Sequence, residues 1–307
     1  MAARDASVAR RPRARRAPRP LHVAARAREG RPLRIVVEDL ELCIDGAPPE
    51  VEAGLLAVWY GTRGDGTIPL HVAVRREGAR HALRIDGVDR EDLVEEESLL
   101  PTLELVLYDA IADHLSRRAT ILHAGAVRLD GRLCVFVGES GGGKSSHVLE
   151  ALRAGATYLT DELLLTDGRS VWGIPRAVQF DLVPVGTPLI PRLSDLDVTS
   201  YRCVDLEGRK VALPIFHVPE ERIERTHGPL QEAIVFLVRP DRDEALVPLS
   251  PALALARVLA VVNHEPVHDV GGLVGAGRAF ELGWTDPRSS IARVRDLLAD
   301  RRGSRTA

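Results

Sequence analysis

From residue 33 to 118 apolar and polar positions first alternate in short runs: RIVVEDLELCI (34–44), AGLLAVWYG (53–61), IPLHVAVRREG (68–78) and ARHALRIDG (79–87). Runs of this length, broken by Gly, Asp and Pro, predict strands joined by turns. The rhythm then changes. In SLLPTLELVLYDAIADHLSRR (98–118), Leu103, Leu105, Val106, Tyr108, Ile111, Ala112 and Leu115 recur at near-helical spacing, which predicts a helix closing a β-rich lobe.

The next segment, ATILHAGAVRLDGRLCVFVG, places two apolar runs on either side of Asp130-Gly131, a strong signal for a tight hairpin. That turn pairs Leu129 with Arg132, and the same register carried back without a bulge sets His123 opposite Gly138. After a glycine run, HVLEALRAG (147–155) suits a short helix stopped by Gly155. ATYLTDE then reads as a short strand with two carboxylates at its C-terminal end, and LLLTDGRSVWGIP as a second hairpin around Asp167-Gly168.

Residues 181–209 lack pattern and read as a long loop. KVALPIF and EAIVFLVRP return to strand character. Two helices are announced by the same device: Ser250 before Pro251, and Asp286 before Pro287, with the last helix running over 286–302. There are no internal repeats. The organisation expected is a tail (1–32), a β-rich lobe with a closing helix (33–118) and an α/β domain (119–302).

Composition narrows this further. The chain has 307 residues and 45% hydrophobic content, ample for a core, while aromatics at 4% leave Leu, Val, Ile and Ala to build it. Three scattered cysteines, Cys43, Cys134 and Cys203, lack both disulfide-framework and zinc-ligand spacing and point to a reducing cytoplasm. No apolar run is long enough for a bilayer, so no membrane partner is expected. Residues 1–35 carry eleven Arg against Asp5 and Glu29. This Arg, Ala and Pro-rich tail has too little apolar surface to order itself. It reads as a solvated extension, or as translated sequence upstream of the true start since Met1 is the only methionine, ahead of a nucleic-acid arm or targeting peptide.

The glycine run is GESGGGKSS, residues 138–146. Gly138, Gly143, Lys144 and Ser145 complete the spacing of a phosphate loop. Its glycines let backbone N–H groups wrap a phosphate, and the helix after it adds a partial positive charge. Lys144 would neutralise β and γ oxygens, and the Ser145 hydroxyl would ligate Mg²⁺. A flexible connector is the plain alternative, but of 41 basic residues only Lys144 and Lys210 are lysine. A chain that otherwise uses arginine keeps the compact ammonium where a guanidinium would not fit. The predicted ligands are therefore ATP, on Gly138, Glu139, Ser140, Gly141, Gly142, Gly143, Lys144, Ser145 and Ser146, and Mg²⁺, on Ser145, Asp161 and Glu162.

Asp161 ends the next strand, placed to hold Mg²⁺ or to take a proton from an attacking hydroxyl. Glu162 points to the other face of the strand and splits duties with it. His123, brought to the loop mouth by the hairpin register, is expected to orient Asp161 or to meet phosphate charge. The catalytic set is Asp161, His123 and Lys144. Arg176 and Lys210 are candidates to reach phosphate or substrate, against a reading of both as surface charges. Guanine-specific and transporter signatures are missing, which excludes those NTPase classes.

A hairpin bearing His123, then GESGGGKSS, a short helix, Thr160-Asp161-Glu162 and the Gly173-Ile174-Pro175-Arg176 stretch resembles the catalytic domain of HPr kinase/phosphorylase and its HPr kinase-like relatives. The resemblance is good over 119–182 and looser to about 300. It implies an α/β P-loop kinase core of the HPr kinase and phosphoenolpyruvate carboxykinase type, ATP and Mg²⁺ on the loop, and transfer of phosphate to a protein serine. It also implies that His123 and Asp161 match the family's histidine and first acid, and that the chain is a homo-oligomer. Two departures stand out: Glu162 replaces the family's second aspartate, and the loop that contacts the protein substrate is not evident after 200. HPr itself is then not the substrate, and a divergent member is expected.

The expected function is an ATP-dependent kinase acting on a hydroxyl, foremost a serine of a peptide or small protein. A small-molecule hydroxyl kinase and a nucleotide-binding regulatory module without transfer chemistry remain the alternatives. Nucleic acid is not an expected partner.

Overall fold

The computed structural model describes residues 32–303 apart from 62–64, 181–182, 186–197, 205–208, 241–243, 263–264, 266–267 and 276. The tail read at 1–32 lies outside the described residues but for Pro32.

Leu33–Val37 (β1) and Leu40–Asp45 (β2) form a hairpin. The single run expected at 34–44 is therefore two strands, turned at Glu38, whose φ is 58°. Pro49–Val58 (α1) follows, then Ile68–Glu77 (β3), Arg80–Ile85 (β4) and Val88–Glu95 (β5). The five strands make one sheet in sequence order, with β2 and β3 parallel across the α1 connection. Leu99–Leu115 (α2) closes the lobe as the spacing predicted.

The strand expected over 53–61 is a helix instead. Pro49 enters at the first helical position, and Val51, Leu55 and Val58 bury one face at helical spacing. Gly54 lets α2 come close, since a Cβ there would collide with the Leu100 side chain.

Beyond the lobe run Thr120–His123 (β6), Gly125–Leu129 (β7), Arg132–Val137 (β8), Lys144–Arg153 (α3), Thr157–Thr160 (β9), Leu163–Thr166 (β10) and Ser170–Ile174 (β11). Short strands Val178–Gln179 (β12) and Val183–Pro184 (β13) precede Val198–Val204 (β14) and Lys210–Phe216 (β15). Part of the long loop expected at 181–209 is thus strand. Gly228–Pro229 (β16), Ile234–Pro240 (β17), Leu246–Pro248 (β18), Pro251–Leu259 (α4), Ala279–Trp284 (β19) and Pro287–Gly303 (α5) complete the order.

Four sheets are present among the described residues, making this a mixed α/β protein. The central one has the order β18-β19-β17-β8-β7-β9. Within it β8, β17 and β19 are parallel, and β7 is antiparallel to both β8 and β9. It follows that β8 and β9 run the same way, joined by α3 across β7. Their C-terminal ends, those of β17 and β19, and the start of β7 all lie at one end of the sheet.

The β7–β8 hairpin keeps the expected register from Leu129 opposite Arg132 to Gly125 opposite Phe136. It does not continue to His123. At Ala124 the chain leaves for a second sheet, ordered β16-β11-β10-β6, where His123 pairs with Leu163.

The lobe and the α/β region share a core. The cluster beneath the five-stranded sheet takes in Ile121, Leu163, Leu165, Ile174 and Ile215 from beyond residue 118. The boundary expected there does not divide two cores. Ala177 N–H also donates to the Val58 carbonyl at 2.7 Å, tying the end of α1 to the segment after β11. Among the described residues no helix is long and apolar enough to cross a membrane.

Candidate functional site

The loop Gly138–Gly143 leaves the C-terminal end of β8 and enters α3. Gly142 N–H donates to the Glu139 carbonyl at 3.0 Å, closing a turn. Gly143 is the last residue before the helix, at φ 96°, a left-handed conformation that costs other residues. A Cβ on it would also collide with the indole of Trp284. The free N–H groups of the first helical turn therefore face the loop, the arrangement that favours an anion.

Lys144 is 6% exposed, and its Nζ donates to the Gly138 and Glu139 carbonyls at 3.1 and 3.0 Å. The ammonium is thus folded back across the loop. Burial pushes its pKa down, opposed by Asp161 and Glu162. Ser145 and Ser146 are half-buried, while Glu139, Ser140 and Gly141 face solvent.

Asp161 follows β9 and arrives at the same sheet end because β8 and β9 are co-directional. It is 3% exposed, and Ser145 is among the neighbours that favour its charged form. Its Oδ1 has no hydrogen-bond partner among the described residues. Burial, reinforced by the Glu162 charge, pushes the Asp161 carboxyl up to about 8, against the lowering effects of Ser145, Lys144 and Arg176. A buried carboxylate oxygen left unpaired is costly and calls for a cation or a proton.

Glu162 goes elsewhere. It pairs with the guanidinium of Arg176, which also pairs with Glu104 of α2. Arg176 is 2% exposed and lies over the rings of Trp59 (4.9 Å) and Tyr108 (5.1 Å). Burial outweighs this pairing at Glu104 and pushes its carboxyl up. Arg176 is therefore neither the surface charge nor the phosphate contact considered from sequence. It is a buried strut between the lobe and the acidic turn after β9.

His123 is half-buried, and its backbone N–H donates to Val261 at 2.8 Å. Burial, then Lys144 and Arg176, depress its pKa and favour the neutral ring, while Glu162 opposes them. It lies within the field of the loop, but no hydrogen bond joins it to Asp161 among the described residues. The hairpin register did not carry it there; its position before β7, which starts at this sheet end, did. Lys210 is remote from the loop and forms an exposed pair with Glu97 at 3.5 Å. It is a surface charge.

Three further residues complete the surroundings. Trp284, the last residue of β19, donates from Nε1 to the Gly142 carbonyl at 3.2 Å. His147, one turn into α3, bonds the Gly143 carbonyl through Nδ1 at 2.8 Å and meets the Trp284 ring edge-on at 5.2 Å. Arg239 of β17 sits beside Glu139 and Glu281, at 3.9 and 3.8 Å. An aromatic at a strand end directly before the Asp286-Pro287 helix start was the available signal for Trp284. His147 and Arg239 had none.

The residues present fit a nucleotide and a divalent cation. The loop is tightly wound at its glycines, since a Cβ at Gly142 would come within 2.9 Å of the Glu139 carbonyl and one at Gly143 would strike Trp284. Ser145 and the unpaired Asp161 oxygen supply hard oxygen donors. The described residues contain no cluster of three or more His, Cys, Asp or Glu side chains able to hold a metal alone. A magnesium ion held by one carboxylate, one hydroxyl and substrate phosphates needs none.

No family model and no curated protein matches this chain.

Proposed function

We propose that the protein is an ATP-dependent, Mg²⁺-requiring kinase of the HPr kinase-like P-loop type that transfers the γ-phosphate to a hydroxyl, foremost a serine of a peptide or small protein. The observation that carries this is the buried Asp161 carboxylate, unpaired at Oδ1 and within the electrostatic reach of Ser145 and Lys144 at the start of α3. A loop that only turned the chain would not leave an acid buried and unsatisfied beside its lysine.

In this reading the backbone from Gly138 to Ser146 holds the phosphates, and Lys144 exchanges its two carbonyl partners for phosphate oxygens. Ser145 and Asp161 would hold Mg²⁺, which supplies charge neutralisation on the transferred group. Asp161 also accepts the proton of the attacking hydroxyl in this reading. Glu162, neutralised by Arg176, fixes the acidic turn and is released from metal duty. Catalysis is then positioning and electrostatics. Cys43 and Cys134 are free and buried, in keeping with a reducing cytoplasm.

The test is transfer of label from γ-labelled ATP to an acceptor in extract of the native cell. Wild type should label an acceptor, Lys144→Ala should not, and Asp161→Asn should bind ATP without transferring. ATP binding by wild type with no labelled product would favour a regulatory module instead, a reading to which the Glu162–Arg176 pairing lends weight. Transfer by Asp161→Asn at the wild-type rate would remove Asp161 from catalysis.

A further inference from the structure

The loop has a second side. Opposite Lys144 and Asp161, the segment Gly138–Gly142 forms one wall of a cavity of about 230 Å³. Its floor is apolar, from Val137 at the end of β8 and Leu237 and Val238 at the end of β17, and the end of α4 closes it with Ala260 and Val261. Arg239 and Arg257 line it as well.

We propose that this cavity seats the heterocyclic base of the nucleotide whose phosphates the loop holds, a proposal that rests on the nucleotide reading above. The two sides of the loop differ in chemistry. The Lys144 and Asp161 side is polar, charged and buried, which suits phosphate and metal. The cavity side offers apolar faces and two guanidinium groups, which suits a planar aromatic ring that stacks on apolar surface and under a cation. Its size agrees. It is far larger than the roughly 30 Å³ of one water and smaller than the roughly 300–1,000 Å³ of a pocket enclosing a whole drug-sized ligand. It takes a ring system with the rest of the molecule outside.

Continuity supports the same division. The cavity and the phosphate cradle share the residues Gly138–Gly142, so base and phosphates would flank one short segment. The other face of the loop, at Gly143, is filled by Trp284, which leaves no room for a ring there.

Ala260 is exposed just past the end of α4, so a large side chain can be placed there at little cost to folding. The experiment titrates ATP and inorganic tripolyphosphate into wild type, Ala260→Trp, Arg257→Ala and Lys144→Ala by calorimetry. Wild type should bind ATP about tenfold or more tighter than tripolyphosphate, the margin a seated ring supplies. Ala260→Trp should lose that margin and keep its tripolyphosphate affinity, and Arg257→Ala should lose part of it in the same selective way. Lys144→Ala should weaken both ligands. ATP affinity unchanged in both cavity variants, or no preference for ATP in wild type, would overturn the base seat alone. Wild type binding neither ligand would instead remove the nucleotide reading on which the seat rests.

Discussion

Asp161 and Glu162 are neighbours in sequence and belong to different regions of the molecule. Asp161 faces the glycine loop, buried, near Ser145 and Lys144 and short of a partner at Oδ1. Glu162 faces the lobe, where Arg176 joins it to Glu104 between Trp59 and Tyr108. One region leaves a carboxylate oxygen unpaired at the end of a sheet, and the other pairs one buried guanidinium with two carboxylates across an internal junction. In the proposed reading, that difference separates a ligand site from an internal junction. Two adjacent carboxylates need not form a pair.

The contrast can be broken at several points. The largest effect is expected at the junction: Arg176→Ala leaves Glu104 and Glu162 without their shared cation and should cost about 3–5 kcal/mol, read as a fall in denaturation midpoint. A loss below about 1 kcal/mol would make the junction a surface pair in disguise. Lys144→Ala, on the other side, should lower phosphoryl transfer by about 10²–10³-fold, the scale of removing one preorganised charge donor, while changing the melting temperature little. Gly143→Ala should cost about 1–3 kcal/mol through its left-handed backbone and the collision with Trp284, and should weaken ATP binding with it.

A pH series separates the two acids. Asp161 binds its proton more tightly folded than unfolded, its carboxyl being pushed up to about 8. Its protonated form is thus favoured by folding. In metal-free protein its contribution is fully present below about pH 4, the unfolded carboxylate range, and is lost as pH rises toward 8. Asp161→Asn should therefore gain in melting temperature over wild type as pH is raised from 5 to 8. A constant difference across that range would place the proton elsewhere. Lys210→Ala is the smallest: its exposed pair with Glu97 should be worth about 0–1 kcal/mol and activity should not change.

What was legible in the sequence was local. Asp130-Gly131 fixed the β7–β8 register, Gly155 ended α3, and Ser250-Pro251 and Asp286-Pro287 started the last two helices, because each acts through its own backbone. The loop and Asp161 were legible for a related reason: a strand, a helix and another strand suffice to bring them to one sheet end. The misread elements were decided by distant partners. AGLLAVWYG is apolar enough for either a strand or a helix, and packing of α1 against α2 around Gly54 chose the helix. His123 was placed near the loop by the wrong route, since nothing in the hairpin signals that the chain changes sheets at Ala124. Neither reading of Arg176, phosphate contact or surface charge, holds, because the residues that bury it, Trp59, Glu104 and Tyr108, lie far back in the chain.

The central claim is that Asp161 serves the loop and Glu162 the junction. The direct measurement is ATP affinity with and without Mg²⁺ in wild type, Asp161→Asn and Glu162→Gln. Mg²⁺ should tighten ATP binding in wild type and in Glu162→Gln, and the tightening should vanish in Asp161→Asn. Mg²⁺ enhancement kept by Asp161→Asn and lost by Glu162→Gln would contradict the account.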